Sequence, residues 1–356
     1  MSVEPRSLLK SRFAAIGFLV VFSSHASLAQ SPDALLPGPK PADVSMHLKN
    51  VIGEYGSEEL SFTVFERDGK LWIASRSLEA KALKETSYGQ FQATLAPHQN
   101  AGVNGAAREV TLFTFDSLIT LPYRSFGVDE LLVARVAPVR PVQELRQQAL
   151  VASPPQETGI FRKPDLVEVV ALDPKIHLDI RYATSNDFLG TPVYSQARAF
   201  LQRPAVDALL RVQQKLKPLG YGLLIHDAYR PWYVTKIFWD ATPPEGKIFV
   251  ADPAQGSRHN RGCAVDLTLC DLATGKPIEM PGTYDEMSPR SFPNYPGGTS
   301  LQRWHRDLLR RAMESEGFTV YEAEWWHFDY KDWREYPILN VPFEKLDSGS
   351  GATLVH

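Results

Sequence analysis

Two short stretches of the chain carry the residue types that bind and use metal ions. SRHNRGCAVD (257–266) sets His259 seven residues before Asp266, with Gly262 between them; EWWH (324–327) sets Glu324 three residues before His327. A lone His–Asp pair at such a spacing is unspecific, because many buried histidines simply bond a nearby carboxylate. Two histidines and a carboxylate together can fill three corners of a tetrahedral zinc site and leave the fourth to water. Zinc in such an open site brings the pKa of that water towards neutrality. The leftover carboxylate, three residues from a ligand, is then placed to be a general base. The helical H-E-x-x-H arrangement that uses the same logic is absent, so a zinc site here belongs to a different fold. A third stretch, DAYRP (227–231), puts Arg230 at a strand-to-helix turn, where its fork can face an oxyanion or a substrate carboxylate. The plainer alternative for Arg230 is a structural ion pair with Asp227 or another acid.

The elements that must position these residues lie in the second half of the chain. VEVVALD (167–173) and HLDIRY (177–182) read as strands. Pro204 opens a helix whose apolar face includes Val206, Leu209, Leu210 and Leu216, closed by Gly220. GLLIHDAYRPW (222–232) is a buried strand running into a turn, with Pro231 starting the next helix. Leu301, Trp304, Leu308 and Ala312 mark a helix ending at Gly317, with His305 on its polar side. FTVY (318–321) leads towards EWWHFDY (324–330) in a last strand. Strands and helices mix without strict alternation, which favours an α+β domain. CAVDLTLC (263–270) puts its two cysteines an odd separation apart, on opposite faces of a strand, so both read as small buried residues rather than a disulfide. Trp325 and Trp326 are expected either to wall a small pocket or to pack in the core.

The first half has a different character. Residues 50–136 look β-rich: LSFTVFE (60–66) and LWIAS (71–75) flank an Asp68-Gly69 hairpin signal, and VTLFTFD (110–116) and LLVARVA (131–137) are further strand candidates. The expectation is a small β-sandwich or β-barrel module, serving either as a packing appendage or as a binding module. Pro-rich residues 30–44 read as an extended linker, and residues 138–160 as a second linker with a short helix at its centre. Residues 1–29 join a basic start to an apolar run (13–22) and a small-x-small end at Ala29, the pattern of a secretory signal peptide. The apolar run is too short to span a membrane. The expected mature protein is exported, most simply to a periplasm, and soluble.

Composition bounds the remaining choices. At about 150 residues per domain, 356 residues suit two domains. With 44% hydrophobic and 22% charged residues the chain is globular rather than disordered or fibrous. It carries 38 basic and 41 acidic residues; losing residues 1–29 leaves 35 and 40, a net charge of −5. No basic excess is available for phosphates, so nucleic acid is a poor candidate partner. His47, His98 and His177 lack a carboxylate at metal-like spacing, and His226 reads as a satisfied core histidine.

Taken together, RYATSNDF (181–188), GLLIHDAYRP (222–231), SRHNRGCAVDLTL (257–269), the spaced Met280…Asp285 and EWWHF (324–328) resemble the zinc-dependent D-alanyl-D-alanine dipeptidases, over about residues 165–345. The resemblance implies a zinc D,D-peptidase (hedgehog-like) catalytic domain over 161–345; the β-rich module of 45–137 lies in front of it, and a flexible tail is expected at 346–356. It implies one Zn2+ per chain on His259, Asp266 and His327. Glu324 looks like the base that moves a proton from water to the leaving amine, and Arg230 like the support of the tetrahedral oxyanion. Tyr182, Ser257 and Asp285 fall where the family holds the ammonium end of the dipeptide. Cys263, His226 and Pro281 depart from the family's usual residues. The expected reaction is hydrolysis of D-Ala-D-Ala by metal-activated water, falling away at acid pH as Glu324 and the histidine ligands gain protons. The alternatives are a D,D- or L,D-carboxypeptidase acting on longer wall peptides and, less favoured, a non-catalytic wall-binding protein.

Overall fold

The computed structural model describes residues 32–57, 59–97, 99–113, 117–124 and 136–346. The signal-peptide reading, the first five residues of the strand candidate at 131–137, the end of VTLFTFD, His98 and residues 347–356 lie outside the described residues; residues 136–137 are not in a strand.

The N-terminal part opens with a short helix, α1 (Met46–Lys49), and two antiparallel sheets follow. The first runs in order β1 (Gly53–Gly56), β2 (Ser61–Arg67), β3 (Lys70–Ser75), β4 (Leu78–Ala82); the second contains β5 (Lys84–Ser87), β6 (Gln90–Ala96), β7 (Gln99–Asn104), β8 (Glu109–Phe113) and β9 (Leu118–Pro122). The Asp68-Gly69 turn joins β2 to β3 with φ positive at both residues, 53° and 75°, the twist that suits a two-residue hairpin. Val64 and Ile73 from one sheet and Val103 and Val110 from the other meet in a single core, and an isolated bridge between Tyr55 and Tyr123 ties β1 to the end of β9.

The C-terminal part is α+β. A two-stranded pair, β10 (Leu166–Glu168) with β12 (Phe200–Gln202), sits beside a five-stranded sheet in order β11 (His177–Leu178), β13 (Tyr221–Asp227), β14 (Ala264–Asp271), β16 (Glu324–Tyr330), β15 (Phe318–Tyr321). Only β11 and β13 pair in parallel. β13 and β14 are buried along almost their whole length, which explains their mainly apolar character, interrupted at His226, Asp227 and Asp266, where they reach the site, and at Thr268. The helices are α2 (Val142–Val151), α3 (Val169–Leu172), α4 (Arg203–Leu216), α5 (Trp232–Ala241) and α6 (Ser300–Glu314). A capping box at Thr299 and Gln302 starts α6, and Gly317 with φ 86° follows its end.

Several sequence expectations need correction. VEVVALD is strand only to Glu168 and then turns into α3, while HLDIRY is strand only at His177–Leu178. Its remainder coils into a 3-10 turn, Arg181–Ala183, that buries Tyr182. The first linker is no free tether: Leu35 is buried in the main core, Trp304 Nε1–H donates to the Gly38 carbonyl (3.0 Å), and Lys40 donates to the Tyr221 hydroxyl (2.7 Å). The second linker's helix, α2, docks on α5 through Val142, Leu145 and Ala149, spaced along one face. His305 is buried rather than on the polar side of α6, with Nε2 3.0 Å from the Tyr221 hydroxyl. His47 does find a carboxylate, Glu85 at 2.6 Å, across the β-rich part. Leu346, assigned to the tail, is buried in the core. Cys263 and Cys270 are free and buried. Among the described residues no helix is long and apolar enough to cross a membrane.

Candidate metal and catalytic site

Adjacent strands of the five-stranded sheet bring the acidic and imidazole groups together. In the antiparallel register Asp227 on β13 pairs with Asp266 on β14, and Asp266 pairs with His327 on β16. Directly opposed residues share a face, so these side chains converge. His259 arrives from the 3-10 turn His259–Arg261 just before β14. That turn ends at Gly262 in the left-handed region, φ 66°, where an added Cβ would meet Leu166 at 2.5 Å. Glu324 and His327, three apart, would point to opposite faces of a regular strand. The pairing of β15 with β16 breaks between Val320 and Tyr321, and this irregularity turns both towards the same site.

His259, Asp266 and His327 each offer one ligand atom, and these atoms lie within 4.8 Å of one another. His259 Nδ1–H donates to the Ala228 carbonyl at 2.7 Å, which leaves Nε2 facing the cluster. His327 Nε2–H donates to Asp329 Oδ1 at 2.9 Å, leaving Nδ1. The two inward nitrogens are 3.1 Å apart, and Asp266 Oδ1 lies 3.0 Å from His327 Nδ1 and 3.4 Å from His259 Nε2. Asp266 Oδ1 is buried and, despite these approaches, makes no hydrogen bond of good geometry. A buried carboxylate oxygen and two inward imidazole nitrogens, each ring fixed through its other nitrogen, form a donor set that suits a divalent cation.

The electrostatics agree with that. Burial opposes ionisation of Asp266, but the two histidines hold its carboxyl well below the ordinary range. Burial would lower His327, yet the carboxylates of Asp266 and Asp329 beside its two ring nitrogens raise it to about 10. A proton held so firmly marks a place where positive charge is stabilised. Glu324 behaves differently. Burial, seconded by the charge of Asp266, raises it to about 7 against the opposing pull of His327 and Arg230. Its carboxylate lies 3.8 Å from His327 Nδ1.

All eight site residues expected from the sequence line one cavity of about 280 Å³. Arg230 is both a pocket wall and an ion pair: Asp227 Oδ2 accepts from Nε at 3.0 Å and Nη2 at 2.8 Å. The Tyr182 hydroxyl donates to Asp285 Oδ2 at 2.8 Å. Asp285 has its carboxyl raised well above the ordinary range by burial and by the charges of Asp266 and Glu324. A carboxyl that resists ionising alone is a good partner for an incoming cation. Ser257 Oγ accepts from the His259 amide at 3.2 Å. Both tryptophans are buried in the core, and Trp326 also lines the cavity. His226 is buried, stacked on Tyr284 with ring centroids 4.5 Å apart, and its Nδ1 is 3.3 Å from the Asp179 carbonyl.

Two participants were not anticipated. Asp329 orients His327 and is in turn held by Arg258 at 3.2 Å. Its signal was available, since a carboxylate two residues past a histidine on a strand shares its face. Tyr284 donates to Asp266 Oδ2 at 3.2 Å from a loop, and no local pattern announces that.

A two-histidine, one-aspartate cluster with a half-buried glutamate beside it, set on an α+β sheet, defines the site of a metal-assisted hydrolase. The chain belongs to the Peptidase M15 family, described as D-ala-D-ala dipeptidase, whose model matches residues 162–345. It is 34% identical over 179 residues to the D-alanyl-D-alanine dipeptidase of Escherichia coli (strain K12), covering 50% of this chain and 91% of that one. It is 35% identical over 187 residues to the D-alanyl-D-alanine dipeptidase of Enterococcus faecalis (47% and 92%), and 34% over 175 residues to that of Streptomyces coelicolor (44% and 87%). These matches make the chain a peptidase, a hydrolase. The family match begins after the β-rich part, whose last described strand ends at Pro122.

Proposed function

We propose that this protein is a zinc-dependent dipeptidase that hydrolyses D-Ala-D-Ala in peptidoglycan metabolism. The observation that carries the reading is one small cavity with a candidate metal triad at its centre and the Tyr182–Asp285 pair in its wall. At about 280 Å³ the cavity suits a dipeptide better than a long stem peptide. His259, Asp266 and His327 would hold the metal, and a bound zinc ion would supply Lewis acidity and an acidified water.

The chain's own groups account for the remaining chemistry. Glu324, in its carboxylate form, accepts a proton from the attacking water and returns it to the leaving amine nitrogen. Arg230 stabilises negative charge developing on the scissile oxygen, with Asp227 fixing its fork. Asp285 and the Tyr182 hydroxyl receive the substrate ammonium, with Ser257 nearby in the same wall.

The finer fold assignment, a hedgehog-like D,D-peptidase domain over 161–345, is part of this proposal and is supported by the motif order on the five-stranded sheet. Export to a periplasm after removal of residues 1–29 is also proposed, on the sequence pattern alone.

The deciding experiment measures D-alanine release from D-Ala-D-Ala by the purified chain, with chelator and with zinc restored. Release that stops and returns supports the proposal. No release from the dipeptide, with release from a longer stem peptide, would make the protein a carboxypeptidase.

A further inference from the structure

The loop between β14 and α6 carries two groups that reach the site, Tyr284 to Asp266 and Asp285 to Tyr182. Asp285 has φ 56°, a left-handed conformation that a non-glycine residue keeps only where its surroundings over-determine it. Glu286, fully buried, supplies the nearer half of that constraint. It accepts from the Thr283 amide (2.9 Å), the Ser288 hydroxyl (2.6 Å) and Arg290 Nη2 (2.7 Å).

The farther half comes from the β-rich part. The Tyr295 hydroxyl donates to Glu54 Oε1 on β1 at 2.6 Å, while Arg306 of α6 holds the Tyr295 carbonyl at 2.7 Å. Glu66 on β2 grips the loop's exit. Its amide donates to the Gly298 carbonyl (3.1 Å), its carboxylate accepts from the Ser300 amide (2.6 Å), and its carbonyl accepts from Arg303 (2.7 Å). Glu54 and Glu66 are 4% and 2% exposed. Buried carboxylates are costly unless bonded, and bonds to them are strong and directional. An appendage that merely packed against the enzyme would need neither.

We infer that the β-rich part is a positioning device for the substrate pocket: Glu54 and Glu66 clamp the far end of the 281–299 loop and thereby hold Asp285 in its strained, pocket-facing conformation. Glu54 and Glu66 are positioning residues. This inference rests on the reading of Asp285 as the ammonium partner.

Tyr295→Phe removes one bond across the junction and leaves Glu54 its own partners Thr63 and Ser61. Tyr295→Phe and Glu54→Gln should each raise KM for D-Ala-D-Ala about three- to tenfold with kcat within about twofold, because ground-state positioning is what is lost. In an Asp285→Asn background Tyr295→Phe should change kcat/KM no further. An unchanged KM in folded Tyr295→Phe, or an undiminished effect in the Asp285→Asn background, would overturn the inference.

Hydrogen exchange supplies a readout without substrate. Amides of residues 283–287 should exchange faster in Tyr295→Phe than in the wild type. Unchanged protection there overturns the clamp whatever the substrate is. Faster exchange in a protein that does not hydrolyse the dipeptide supports the clamp and sinks the functional reading instead.

Discussion

Glu324 sits among Asp266, Asp329 and Arg230 with its carboxyl raised by burial, and it has no place in the three-ligand cluster. Its removal should therefore cost chemistry and spare the metal. Glu324→Gln is expected to lower kcat by about 10²–10⁴-fold, the usual range for a lost general base, with bound metal unchanged by elemental analysis. A kcat near the wild-type value would take the proton-transfer role away from this residue. Asp329 has the converse profile. It bonds the outer nitrogen of His327 without being one of the three cluster residues, so Asp329→Asn should weaken metal affinity about 10–100-fold in a chelator competition while kcat at saturating metal stays nearly constant. At this scale the clustering of His259, Asp266 and His327 was legible because their residue types are chemically restrictive and lie in local motifs whose order resembles the family's. Tyr284 was not, because a phenol reaching a carboxylate 18 residues away is a product of loop shape.

At the scale of elements, periodicity was a good guide where an element has one buried face and a poor one where the chain bends into the site. The apolar spacing of α4 and the apolar run that opens β13, Tyr221 to Ile225, are visible in the sequence and present in the fold. HLDIRY has the composition of a strand, but its second half must deliver Tyr182 to the cavity, and tertiary contacts override propensity. His305 shows the same limit on a helix. Docking of residues 35–40 against α6 and Tyr221 covers a position that looks polar on a helical wheel. That burial, seconded by the charge of Lys40, lowers His305 to about 4. The native state thus prefers the neutral ring, while the unfolded chain takes a proton near the ordinary value of about 6.5. Stability from this group is intact above about pH 6.5 and is lost as pH falls towards 4, by at most about 3 kcal/mol before solvent screening trims it. In His305→Phe, urea unfolding at pH 7 and pH 4.5, with chelator throughout, should show a smaller acid loss than in the wild type. Equal losses would mean that the ring titrates alike in both states.

Among the described residues two apolar cores meet across the Glu54 and Glu66 contacts, and the candidate site is lined by the catalytic part alone. The described residues cluster as one compact unit, although the β-rich part and the catalytic part each have a separate apolar core. The sequence shows the two cores through their different patterning but not the junction, because Glu54 and Glu66 look like ordinary strand carboxylates until Tyr295 and Ser300 meet them. A metal on His259, Asp266 and His327 would tie the turn before β14, β14 itself and β16 together, and would bind the native state alone. At a free concentration of 100 times Kd, binding of that kind adds about 2.7 kcal/mol. Chelation should then lower the melting temperature by several degrees, at roughly 2–4 °C per kcal/mol for a part of this size. The form of the shift tests the junction. If the buried carboxylates make the two parts cooperative, calorimetry should show one transition that moves as a whole when the metal is removed. Two transitions, of which chelation moves only one, would mean that the β-rich part melts independently of the site.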